Sequence, residues 1–202
     1  MNKQIIQQKL PAYQGKTSII TDEQNVSDII AAIRKMHNKH ASDYDKISYL
    51  FLKSTPEGTC RNLFNFLKQH VAYKIEPVSK QSVKSPAAII AHGHGDCKHY
   101  SLFAAGVLDS INRLGLQRIP YAYRFASYDL FDQDPKHVFV VAFPGSNNEQ
   151  WIDPVLKQYN QRLEPTYSTD KKFKAMALSE ISGVAVNGFF DGLFIDPTRK
   201  KC

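Results

Sequence analysis

The chain has 202 residues, 43% of them hydrophobic and 22% charged, with a formal net charge of +7. These are the proportions of an ordinary soluble globular protein long enough to bury a core. No apolar run approaches the roughly 18 residues of a membrane span, and the polar segment from Met1 to Lys9 lacks a signal-peptide core, so a cytoplasmic protein is expected. Part of the positive charge falls in short clusters, Lys171-Lys172, Lys174 and Arg199-Lys200-Lys201. With no helix-turn-helix pattern or basic-aromatic repeat beside them, they read as solvated surface and tail, and no nucleic-acid partner is expected.

Residues 1–20 are polar and interrupted by Pro11 and Gly15. Thr21 or Asn25 is placed to cap a helix with the stripe Val26, Ile29, Ile30, Ile33 and Met36. A second helix is expected from Asp43 to about Lys53, and Pro56-Glu57-Gly58 breaks it. The third carries Cys60, Leu63, Phe64, Leu67 and Val71 on one face, which makes Cys60 a small buried hydrophobe. Val71 to Ile75 reads as a strand or extended link. Ser85 caps a short helix with Pro86 at its first position. The helix after Cys97 carries Phe103, Val107, Ile111 and Leu114 and ends at Gly115; a helix this apolar is central. The period then changes. Ile119 to Tyr128, Val138 to Phe143 and Gln150 to Ile152 read as strands, with turns at 132–135 and 144–148. Helices followed by antiparallel strands imply α+β, a sheet packed on the central helix. Residues 180–202 contain apolar pieces that either pack back on the domain or form an interaction segment.

The chemistry concentrates at Gly95-Asp96-Cys97, where an irregular loop meets the central helix. A helix N-terminus carries partial positive charge and free N–H groups, which favours thiolate over thiol. His137 opens an apolar strand-like run, and Asp153 closes Trp151-Ile152-Asp153. A cysteine, a histidine and an acid in this arrangement form a thiol nucleophile with an oriented base. Taken singly, each residue has a blander reading: a buried cysteine, an edge histidine, a turn-initiating aspartate. Ile195-Asp196-Pro197 repeats the tripeptide of Asp153, but the shorter interval from His137 suits a hairpin return and favours Asp153. His92, His94, Cys97 and His99 also crowd together. Their spacing matches no zinc pattern, so no metal is expected. Three cysteines, an odd count, argue against a disulfide framework.

From Arg61 to Leu156 these segments together resemble the transglutaminase-like superfamily, a branch of the papain-like cysteine acyltransferases and proteases. The segments are Arg61 to Lys68 with Val71-Ala72-Tyr73-Lys74, Ser85 to Ile90, Gly95-Asp96-Cys97, Lys136-His137-Val138 and Trp151-Ile152-Asp153-Pro154. The resemblance implies a papain-like core preceded by N-terminal helices. The expected division is an N-terminal helical extension over 1–56, the core over 57–170 and a tail over 171–202. It also implies a Cys97–His137–Asp153 triad acting on an amide of a protein or peptide, without a cofactor. The position two after the cysteine, often acidic in the family, is His99. No Trp or Gln just upstream of Cys97 serves the oxyanion, so Gln81, Tyr73 and His94 are the candidate donors, and His94 or His99 is placed to tune the thiolate or contact substrate. Hydrolysis by a peptidase or amidohydrolase is the leading expectation. Cross-linking or deamidation is the second, and an inactive binding or structural module, for instance in a phage particle, is the third.

Overall fold

The computed structural model describes residues 2–15, 18–19, 26–77, 81–131 and 133–172. In chain order the elements are α1 (Lys3–Lys9), β1 (Ser18–Ile19), α2 (Val26–Lys39), α3 (Ala41–Asp45), a 3-10 turn (Ser48–Phe51), α4 (Pro56–His70), β2 (Ala72–Tyr73), β3 (Ser82–Val83), α5 (Pro86–His92), β4 (His94–Gly95), α6 (Cys97–Arg113), β5 (Tyr121–Ser127), β6 (His137–Ala142), β7 (Gln150–Ile152) and β8 (Tyr167–Lys171). The fold is α+β. Four strands form an antiparallel sheet in the order β7-β6-β5-β8.

The sheet and the helices meet on α6. Leu102, Phe103, Val107, Leu108 and Ile111 of α6 share one core with Tyr121, Tyr123 and Phe125 of β5 and Val138 and Val140 of β6. Ser101 of α6 donates its hydroxyl to the Val138 carbonyl at 2.8 Å, tying helix to sheet. Side chains alternate across a strand, so the residues between these face the other way. There Ala122, Ala126, Phe139, Val141 and Trp151 form a second small cluster. On its other sides α6 meets α3 and α2. A Cβ at Gly106 would stand 2.3 Å from the Tyr44 ring, so glycine is what permits that approach. The helix stops in a Schellman motif: Gly115 takes φ +67°, its N–H donates to Asn112 O, and the Leu116 N–H donates to Ile111 O.

Two elements depart from expectation, and one was not anticipated. The helix expected from Asp43 to Lys53 is split into α3 and a 3-10 turn. The tighter turn buries Tyr44, Ile47 and Phe51 together while the Ser110 hydroxyl of α6 donates to Asp45 at 2.5 Å and lies 3.0 Å from the Ser48 hydroxyl. Residues 3–9, read as polar and broken chain, form α1. Asn2 caps it by accepting from the Gln4 N–H, and Ile6 anchors it in the core. Strand β8 was missed because its residues are polar and mostly exposed. It is an edge strand, pinned to β5 by the Arg124–Asp170 ion pair at 2.8 Å. The caps Thr21 and Asn25, the rival acid Asp196, Cys202 and the apolar pieces of the tail lie outside the described residues.

Candidate active site

Backbone geometry brings Cys97 to the head of α6. Ser85 caps α5 by accepting from the Ala88 N–H, with Pro86 in the first turn, and Gly93 ends that helix in the left-handed region at φ +65°. The chain then runs alongside β2 as β4, a parallel pair with Ala72 opposite His94 and Tyr73 opposite Gly95. Gly95 must be small, because a Cβ there would meet His99 Cβ at 2.7 Å. Asp96 is the N-cap, in a capping box with His99, and Cys97 begins the helix. The first-turn N–H groups of a helix have no intrahelical acceptor and point toward whatever reacts there.

The other two residues arrive through the sheet. His137 is the first residue of β6, and Asp153 follows the last residue of β7. The register that places Val140 opposite Ile152 carries Asp153 back to the start of β6. His137 Nε2 lies 2.7 Å from Asp153 Oδ2, while Asp153 Oδ1 accepts from the Val155 N–H at 3.2 Å. With Nε2 committed to Asp153, Nδ1 is the ring nitrogen left for a further partner, and Cys97 lines the same cavity as His137. Burial opposes a charged imidazole here. The hydrogen bonds to Asp153 and Cys97, with their negative charge, prevail and raise the His137 pKa from 6.5 to about 10. The carboxylate is itself only 3% exposed, so water weakens the pairing little.

Cys97 and His137 open onto a cavity of about 210 Å³, whose walls include Tyr73, Ile75, Gln81 and Phe125. Of the expected oxyanion donors, Gln81 is corrected. Its amide nitrogen donates to Glu76 O at 2.9 Å and Pro77 O at 3.1 Å, so both N–H groups are engaged. Its oxygen accepts from Lys98 at 2.8 Å. His94 stands aside, its Nδ1 3.1 Å from His92 O and its ring stacked on His92. His99 is fully buried against Asp96 rather than in the cleft. Burial outweighs the neighbouring carboxylate and holds its pKa below the ordinary value. Tyr73 lines the cavity, and among the described residues its hydroxyl has no hydrogen-bond partner.

Beside Cys97 lies a charged cluster that sequence reasoning missed. Lys98, 3% exposed, bonds Asp96 and reaches Glu76 Oε2 at 3.2 Å, and Lys84 reaches Glu76 Oε1 at 3.2 Å. Ser82 holds Glu76 through its N–H and hydroxyl, both at 2.6 Å. Burial works against the charge on Asp96, but His99 and Lys98 lower its pKa from 3.8 to about 2. A lysine one residue past a cysteine ordinarily reads as surface, and only the fold reveals that this one is enclosed. The histidine spacing read for a metal does not assemble. A different trio, Glu76, Asp96 and His99, has ligand atoms within 4.8 Å of one another. The Lys98 ammonium already bonds both carboxylates of that trio.

No protein-family model matches the sequence, and no curated protein matches it. Among solved structures the chain is similar to calcium-bound LapG of Legionella pneumophila, with a TM-score of 0.45 and 17% identity over 72% of this chain and 84% of that one. That is a distant likeness of fold. No helix among the described residues is long and apolar enough to cross a membrane.

Proposed function

We propose that this chain is a transglutaminase-like thiol enzyme that cleaves an amide through a thioester, a cysteine peptidase or amidohydrolase. One observation carries the reading: His137, bonded through Nε2 to the buried Asp153, lines one cavity with Cys97, the first residue of the central helix. In this reading the proton of the Cys97 thiol resides on His137, giving a thiolate–imidazolium pair. The Sγ attacks the substrate carbonyl carbon, and the π electrons move onto oxygen. As the tetrahedral intermediate collapses, the C–N bond breaks and His137 delivers its proton to the departing amine. Water then attacks the thioester, with neutral His137 accepting a proton from it, and collapse releases the acid and restores the Cys97 thiolate beside the His137 imidazolium. Asp153 keeps the imidazole oriented and its positive charge compensated throughout. The domain division at 56 and 170 belongs to the same proposal, with the triad wholly inside the core.

The test is reactivity followed by turnover. A thiolate is the reactive form in alkylation, and a thiol held beside an imidazolium at a helix start is the one most readily deprotonated. Iodoacetamide at pH 6 is therefore expected to label Cys97 well ahead of Cys60 and Cys202, with hydrolysis of a peptide-amide library lost in Cys97→Ala. Labelling of Cys97 slower than both other cysteines would refute the thiol-enzyme reading.

A further inference from the structure

Resting on that thiol-enzyme reading, we propose that the Tyr73 hydroxyl is the side-chain donor to the oxyanion formed when Cys97 attacks a carbonyl. The placement follows from the backbone. β2 runs parallel to β4, with the Ala72 N–H on Gly93 O at 2.8 Å and the Lys74 N–H on Gly95 O at 2.9 Å. Tyr73 is thereby fixed opposite Gly95, two residues before the nucleophile, and its ring lines the same cavity as Cys97 and His137.

The hydroxyl is available. Among the described residues it has no hydrogen-bond partner, whereas the neighbouring Tyr100, its ring centroid 5.9 Å away, spends its hydroxyl on Val71 O at 2.6 Å. The two tyrosines are thus divided in role: Tyr100 locks the strand, and Tyr73 faces the cleft. Burial, then the charges of Cys97, Asp96 and Asp153, raise the Tyr73 pKa from 10.0 to about 12. The phenol therefore remains an O–H donor over the whole working range. The rival side chains are spent or turned away, Gln81 on two backbone carbonyls and His94 toward His92. A helix-start N–H at Cys97 supplies one donor, and Tyr73 supplies the second, the arrangement acyl-transfer sites use to bind developing charge.

Two reagents separate this role from mere support. p-Nitrophenyl acetate acylates a thiolate through an oxyanion-bearing intermediate, whereas iodoacetamide alkylates it by displacement with no oxyanion. In Tyr73→Phe the acetylation rate of Cys97, read from the nitrophenolate burst and the mass of the acetylated protein, is expected to fall about 10²–10³-fold. The iodoacetamide rate should stay within about twofold, which also reports an intact site. Equal acetylation in the variant and the wild type, or an equal fall with both reagents, overturns the assignment of Tyr73. A wild-type Cys97 inert to both reagents overturns the thiol-enzyme reading and the assignment with it.

Discussion

Lys98→Met removes the ammonium from the charged cluster beside Cys97 at little change in side-chain length. In the wild type that ammonium bonds Asp96, lies 3.2 Å from Glu76 Oε2 and donates to Gln81 Oε1 at 2.8 Å, with the lysine side chain only 4% exposed. Removing one partner of a buried pair costs about 3–5 kcal/mol, because the carboxylate left behind has lost its water and its counter-charge. Glu76 retains Lys84 and Ser82, so Asp96 bears most of the loss. For a chain of this size about 2–4 °C accompanies each kcal/mol, which gives a fall in Tm of about 6–20 °C at pH 7. The pH dependence identifies the group. The folded pKa of Asp96, about 2, lies below the unfolded value of 3.8. Its stabilisation is thus present above about pH 4 and lost as the pH falls through about 2, so the deficit of the variant narrows over that interval. Calorimetric melts of both proteins from pH 7 down to the acid limit measure it. A Tm change below about 2 °C at pH 7, or a deficit that stays constant into acid, would refute the reasoning.

Asp153→Asn is expected to keep the fold and lower turnover about 10³–10⁴-fold, since an amide cannot hold His137 in the same tautomer and charge; Asp196→Asn is expected to leave turnover unchanged, and the reverse result in a peptide-amide assay reassigns the acid. The folded pKa of His137, about 10, exceeds its ordinary 6.5, so its stabilisation is complete below about pH 6.5 and lost as the pH rises through about 10. The Tm difference between wild type and His137→Gln should shrink across that window, and a difference that grows with pH contradicts the ion pair. Arg124 clamps Glu149 at 2.8 and 3.1 Å and Asp170 at 2.8 and 2.9 Å, so Arg124→Met should cost about 3 kcal/mol in a urea titration. An unchanged midpoint would show that the clamp contributes nothing to β8.

What the sequence by itself determined is local. The cap at Ser85-Pro86, the glycine stop at Gly115, the apolar run of α6 and the segment of β7 are legible because propensity, capping and periodicity act over a few residues. Cys97, His137 and Asp153 stand out as candidates for a related reason: a cysteine at a helix start and two polar residues at strand ends each break a local pattern. The apolar α1 anchor Ile6 and the edge strand β8 were not, since one is a single buried residue in a polar segment and the other takes its hydrogen bonds from β5. The surroundings of the candidate oxyanion donors came only with the tertiary structure. Gln81, Tyr73 and His94 are candidates in that order on paper, but Gln81 donates to Glu76 O and Pro77 O and His94 turns to His92 O, while Tyr73 lines the cavity. Lys98 follows the same logic. Its chain neighbours say surface, and only the folding of the segment that carries Glu76 and Gln81 onto it, beside Asp96, makes it a buried cation.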